Sequence, residues 1–210
     1  MSADSKIVVA VDFRQPQSYL AIRPTRQLAK DLDVELDWRP FPVPAPSPPD
    51  PATEGERGSR HLQLRARYVE QDLQRYADVQ GLVLGDIYRS PDTATANAGL
   101  LWAKRQSHSH GESASVDRYV DALFSAYWDG SFDIEDASAV VDKLEEAGID
   151  ADSFDPEALR GDVDRCVDEL KQAGVVGAPA YLVADQLFIG RAHLPMIRWL
   201  LTDRQDAPPI

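Results

Sequence analysis

The residues best placed to do chemistry lie in two short stretches near opposite ends of the chain. Asp12-Phe13-Arg14-Gln15-Pro16-Gln17-Ser18-Tyr19-Leu20-Ala21 runs from an apolar strand into a helix start. Pro16 suits the first turn, where its missing N–H would be unpaired anyway. A helix N-terminus presents unpaired N–H groups and a partial positive charge, which favour a thiolate over a thiol. Gln15 cannot ionise, but its amide can donate to sulfur; Ser18 offers a hydroxyl one turn further in. Such a serine can equally bond back to the helix backbone. The second stretch, Gly174-Val175-Val176-Gly177-Ala178-Pro179-Ala180-Tyr181-Leu182-Val183, is a glycine-punctuated loop with a proline just before a strand.

Neither stretch contains a sulfur nucleophile. The one cysteine, Cys166, lies in a helical pattern, where a thiol usually serves as a small apolar filler. A single cysteine excludes internal disulfides, a Cys-x-x-Cys motif and dithiol–disulfide exchange within one site. Ser107-His108-Ser109-His110-Gly111 has no companion cysteine or clustered carboxylate, so it reads as a polar loop and no metal is expected. Trp38 and Arg39 end a strand, where a tryptophan is usually core. The Asp/Glu-rich stretch from Asp133 to Glu146 reads as a solvated helix face.

The elements that must position these residues follow from periodicity. Ile7 to Phe13 is a buried strand, and a helix from Pro16 runs toward Lys30. Val34 to Arg39 alternates as a second strand. The prolines from Pro40 to Pro51 suit neither helix nor central strand and make a stiff extended connector. From about Arg57 the periodicity is helical, with one long helix, then Thr95 to Lys104, Val116 to Tyr127 and Ala137 to Ala147. Pro156 to Ala173 is another helix, stopped by Gly174; a hairpin follows around Ala184-Asp185, then a closing helix from Leu194 to Leu201. The tail from Thr202 reads as frayed. The organisation expected is α/β: βαβ and ββα halves (residues 1–42 and 172–210) flanking an all-helical insertion (52–171), with residues 43–51 as the connector.

With 210 residues, 43% of them hydrophobic, the chain can bury a full core without staples. Its formal charge of -13 repels phosphate backbones and anionic lipid, so neither nucleic acid nor membrane is an expected partner. The N-terminus lacks the basic and apolar regions of a signal peptide, which makes a cytoplasmic location the expectation.

The motifs, taken in order, resemble the DsbA-like proteins of the thioredoxin superfamily. Besides the two terminal stretches, the resemblance rests on Tyr68-Val69-Glu70-Gln71-Asp72-Leu73-Gln74-Arg75-Tyr76-Ala77 and Ala122-Leu123-Phe124-Ser125-Ala126-Tyr127-Trp128. Within that group the chain looks most like 2-hydroxychromene-2-carboxylate isomerases and kappa-class glutathione transferases. Those relatives carry Ser-Pro-x-Ser where oxidoreductases carry Cys-Pro-x-Cys. The resemblance implies a thioredoxin-like fold and a glutathione or other low-molecular-weight thiol at a site built by both terminal stretches.

It places Gln15 where the first serine points at the glutathione sulfur, with Pro16 beside it, and Ser18 at the second serine. It implies a cis bond before Pro179, turning the Ala178 backbone toward the helix start to pair with the thiol's peptide. Thr95, Asn97 and Trp38 fall near the implied substrate pocket. Where relatives carry Gly-x-Asp-Arg-Leu to hold the γ-glutamyl end, this chain has Ala192 and His193; Arg191 and His193 are then the anion contacts. A small hydrophobic or aromatic substrate and a homodimer are also implied. The alternative is a binding protein that kept the fold and lost the chemistry, since Gln15 and Ala192 both depart from the pattern.

Overall fold

In the computed structural model the apolar run within Lys6–Val11 forms β1, which is buried on both faces toward its end, at Val9, Ala10 and Val11. Ile7, Val9 and Val11 enter one apolar core, while Val8 and Ala10 enter a second core behind the sheet. The structure describes residues 6–44, 47–48, 57–110, 113–202, 204 and 209. Helix α1 (Pro16–Leu32) leads to β2 (Glu35–Pro40), which pairs parallel to β1 from Lys6↔Glu35 to Val11↔Pro40. Helices α2 (Arg57–Gln80), α3 (Ala94–His110), α4 (Ser113–Asp129), α5 (Ala137–Glu146) and α6 (Pro156–Gln172) follow. The chain then returns through β3 (Ala180–Val183), β4 (Gln186–Ile189), a 3-10 turn (Arg191–His193) and α7 (Leu194–Leu201).

The sheet order is β2-β1-β3-β4, with β3 antiparallel to β1 (Ala10↔Ala180) and to β4 (Tyr181↔Phe188). Ala184 and Asp185 take positive φ (48° and 59°), matching the hairpin's turn to the strands' right-handed twist. One face of the sheet is covered by α1, α7 and α4, through Leu20, Ile197 and Phe124; the other by α6, through Leu159, Val163 and Leu170. The helix ends are chemically explicit. Asp136 accepts from the Ser138 N–H at 2.9 Å, and Asp155 accepts from Glu157 at 3.0 Å and Ala158 at 3.2 Å. Gly148 (φ 77°) and Gly174 (φ 90°) supply the left-handed residues that stop α5 and α6.

Several boundaries differ from expectation. β1 stops at Val11 rather than Phe13, because the Gln15 N–H donates back to the Asp12 carbonyl and turns the chain. Val34 lies between α1 and β2, its N–H donating to the Ala29 carbonyl, so β2 begins one residue later. α3 continues through Ser107 to His110, the stretch read as a polar loop. Most of the Pro-rich connector from Ala45 onward and much of the tail after Thr202 fall outside the described residues. Among the described residues no helix is long and apolar enough to cross a membrane, and no group of three His, Cys, Asp or Glu could hold a metal.

Candidate functional site

The antiparallel pairing of β1 with β3 puts the turn after β1 and the loop before β3 at the same end of the sheet. Both terminal stretches therefore converge there. At the first, Gln15 is the N-cap of α1 with extended backbone (φ -90°, ψ 115°), and its carbonyl accepts from the amides of Ser18 (2.9 Å) and Tyr19 (3.2 Å). Its side chain makes no capping bond; Nε2 donates only a long 3.4 Å bond to the Pro44 carbonyl. Pro16 is buried at N1. In the same turn, the Gln17 Oε1 is buried with no hydrogen-bond partner among the described residues.

Ser18 is fully buried, and its hydroxyl oxygen accepts the Asp12 N–H at 3.3 Å. The side chain therefore helps to close the turn, and its partner is the strand end, not the helix backbone. At the second stretch the Ala178–Pro179 bond is cis. The Pro179 carbonyl accepts the Gly190 N–H at 2.8 Å, which ties this loop to the corner after β4.

The other residues singled out from the sequence are distributed differently. Arg191 lies flat over Tyr76 of α2, its guanidinium carbon 3.5 Å from the ring centroid, so it is engaged in a cation–π stack. His193 is exposed and tilts against Phe188, centroids 5.8 Å apart. Trp38 is core: it is 1% exposed, and its indole N–H donates to Asp117 on α4 at 2.6 Å. Asn97 is buried and turned inward, donating from Nδ2 to the Thr93 hydroxyl at 3.2 Å, a turn role at the start of α3; Thr95 is half-buried on that first turn.

Sequence reasoning missed a cluster beneath Gln15. The buried Asp12 carboxylate accepts from the Arg14 amide (2.9 Å), Arg14 Nε (3.2 Å), Arg14 Nη2 (3.0 Å) and the Val43 amide (2.8 Å). Arg14 also donates to the carbonyls of Val43 (2.8 Å) and Pro91 (3.4 Å). A carboxylate taken out of water needs this many partners. The result is a clamp joining the β1–α1 turn, the chain after β2 and the loop before α3. Its local half was visible as Asp-x-Arg at a strand end; nothing in the sequence pointed to Val43 or Pro91.

Cys166 lies elsewhere, on α6, beside an open cavity of about 560 Å³ also lined by Lys104 and Glu169. Burial pushes its thiol up, away from the ionised form. A narrower cavity of about 150 Å³ opens between α1 and α4, lined by Tyr19, Arg23, Phe124 and Ser125.

The β-α-β half, the β-β-α half and the helical insertion, meeting at a helix N-terminus opposite a cis-proline, define a thioredoxin-type protein with a DsbA-like insertion. The family model described as DSBA-like thioredoxin domain matches residues 6–201, and the chain belongs to that family. It is similar to the 2-hydroxychromene-2-carboxylate isomerase of Sphingobium xenophagum, 26% identical over 199 residues that cover 91% of this chain and 95% of that one. Among solved structures it is similar to a 2-hydroxychromene-2-carboxylate isomerase (TM-score 0.71, 22% identity, 95% of each chain). It is similar, too, to a probable DsbA oxidoreductase from Streptomyces coelicolor (TM-score 0.71, 20% identity, 98% of this chain and 93% of that one). The scaffold is thus shared by proteins named for different chemistries.

Proposed function

We propose that this protein is a thiol-dependent isomerase or transferase acting on a hydrophobic or aromatic small molecule, using glutathione or another low-molecular-weight thiol. The observation that carries this reading is Gln15. At the N-terminus of α1, where an oxidoreductase of this fold needs a cysteine, stands a non-ionisable donor whose amide is held by one long bond. The single cysteine in the chain is on α6, so sulfur chemistry at this end of the sheet requires a sulfur brought by a ligand. Full-length relatives named as isomerases support the same branch.

When bound, a thiol supplies a nucleophilic sulfur that adds reversibly to a conjugated substrate and permits bond rotation before it leaves. The chain's own residues do the rest. The first turn of α1 favours the ionised sulfur through its amides and dipole, and Gln15 Nε2 adds a donated hydrogen bond, a contact to charge on the order of 1.5–3 kcal/mol. The Ala178 backbone offers its N–H and C=O to an extended peptide as an added strand would. Gln17 Oε1, buried with no partner among the described residues, is an acceptor that a ligand N–H could satisfy. The residues fit the sulfur end of glutathione better than its γ-glutamyl end, where Ala192 replaces a carboxylate and Arg191 is stacked on Tyr76.

That last contact favours a second reading, a binding protein that kept the fold without the thiol. Titration calorimetry with glutathione and other small thiols separates the two: saturable heat with at least one is expected, and no heat with any of them defeats the thiol-dependent reading. Gln15→Ser, which places a shorter, better-aimed hydroxyl at the helix start, should tighten thiol binding or raise isomerase activity. An inert Gln15→Ser protein points to the binding reading. Insulin reduction should stay at background throughout.

A further inference from the structure

Leu101, Lys104 and Arg105 on α3 stand opposite Asp162, Arg165, Cys166 and Glu169 on α6. Spacings of three and four residues put each set on one stripe of its helix. Between the stripes lies the open cavity of about 560 Å³, a size that suits a small organic ligand. Its charge is inverted relative to the chain. The whole sequence has 35 Asp and Glu against 22 Lys and Arg, whereas three cations and two carboxylates line the cavity. Among the described residues, one carboxylate, Asp162, is shared by Arg105 and by Arg165, the latter at 2.8 Å. At the other end Glu169 is engaged by Arg39 of β2 at 3.2 Å, and Lys104 reaches down to the buried Asp37, which also holds Arg39 at 3.1 Å. The positive end is therefore the Arg105–Arg165 end. The floor between is apolar: Leu101 and Cys166 both pack on the core that contains Leu159 and Val163.

We propose that this cavity binds a small aromatic carboxylate, its carboxylate seated at Arg105 and Arg165 and its ring resting on Leu101 and Cys166. Guanidinium forks match the flat, two-oxygen edge of a carboxylate, and two of them here face one protein carboxylate, so a second anion is electrostatically welcome. Inorganic phosphate brings the charge but leaves the apolar floor in water; an uncharged ring covers the floor and gains nothing from the cations. The floor is chemically inert. Burial keeps the Cys166 thiol protonated, and the sulfur serves as a polarizable apolar surface rather than a nucleophile. None of these residues belongs to the end of the sheet where Gln15 stands, so the site is independent of what that end binds.

The chain has one cysteine, so alkylation of Cys166 by iodoacetamide, followed by peptide mass, reads this cavity and no other part of the molecule. In mildly alkaline buffer at constant ionic strength, benzoate should slow that reaction saturably, with a half-maximal concentration on the order of a millimolar for so open a site. Benzamide, the same ring without the charge, should need about tenfold more. Arg105→Gln and Arg165→Gln should each raise the half-maximal benzoate concentration about threefold, and together about tenfold, with circular dichroism unchanged. Comparing concentrations rather than rates removes any effect of the substitutions on the thiol's own reactivity. Benzoate that gives calorimetric heat yet leaves Cys166 alkylation untouched binds elsewhere, and overturns the proposal. So does equal protection by benzamide or by phosphate, or protection that the double variant keeps in full. A Cys166 that iodoacetamide never reaches means a closed cavity and overturns it as well.

Discussion

Asp12 and Arg14 show how a site is held by residues that need not touch its ligand. The carboxylate is fully enclosed and the guanidinium only 14% exposed, and between them they fix Val43 and Pro91 around the start of α1. Arg14→Met removes the cation and leaves a buried charge; a cost of about 3 kcal/mol in urea unfolding is expected. Hydrogen exchange of the Val43 amide, which donates to Asp12 Oδ2, should quicken in the same variant. The position of Gln15 at the helix start was legible because Pro16 marks a first turn regardless of tertiary context. Ser18 was not, because its bond from the Asp12 N–H depends on how the turn folds back over itself. Trp38 likewise found its hydrogen-bond partner, Asp117, 79 residues away.

At the scale of elements, local chemistry was readable wherever one residue type decides a helix end. Pro156 with Asp155 opens α6, and Gly148 and Gly174 close α5 and α6, as side-chain capping and positive φ require. Reading was blind to Pro24, which stands inside α1 and removes the N–H that would have bonded the Leu20 carbonyl. The helix survives because Gln80, the last residue of α2, donates its Nε2 to that same carbonyl at 3.1 Å. One helix thus repairs the backbone of another across 60 residues. Gln80→Ala should cost about 1 kcal/mol in thermal or urea unfolding. In a Pro24→Ala background, where α1 supplies its own donor, the cost of Gln80→Ala should shrink toward zero; a cycle showing no coupling contradicts this account.

The whole molecule is a sheet with a core on each face; the unbroken apolar run from Ile7 made a buried strand legible, but not which side chain enters which core. The cores bury hydroxyls as well as hydrocarbon. Tyr181 shares a 2.9 Å hydrogen bond with Thr25, and burial pushes its hydroxyl up to about 12 from the ordinary 10.0; Tyr119, fully enclosed, is raised well above that value by burial as well. In the folded state these groups keep their protons at pH values where the unfolded chain has released them. The Tyr181 contribution is therefore complete below about pH 10 and is lost as pH rises from there through about 12, at up to about 1.4 kcal/mol per pH unit, and Tyr119 acts in the same direction. Urea unfolding between mildly alkaline pH and pH 12 should show that decline, and Tyr181→Phe should flatten part of it. The central pairing has a temporal consequence as well. Val9 meets Tyr181, and every helix of the insertion is encoded between them. A ribosome releasing this polypeptide from its leading end exposes β1 with one neighbour only, β2, while five helices form from contacts close in the chain. The strand that completes its other side is made only after those helices, so the site at Gln15 is assembled after the insertion.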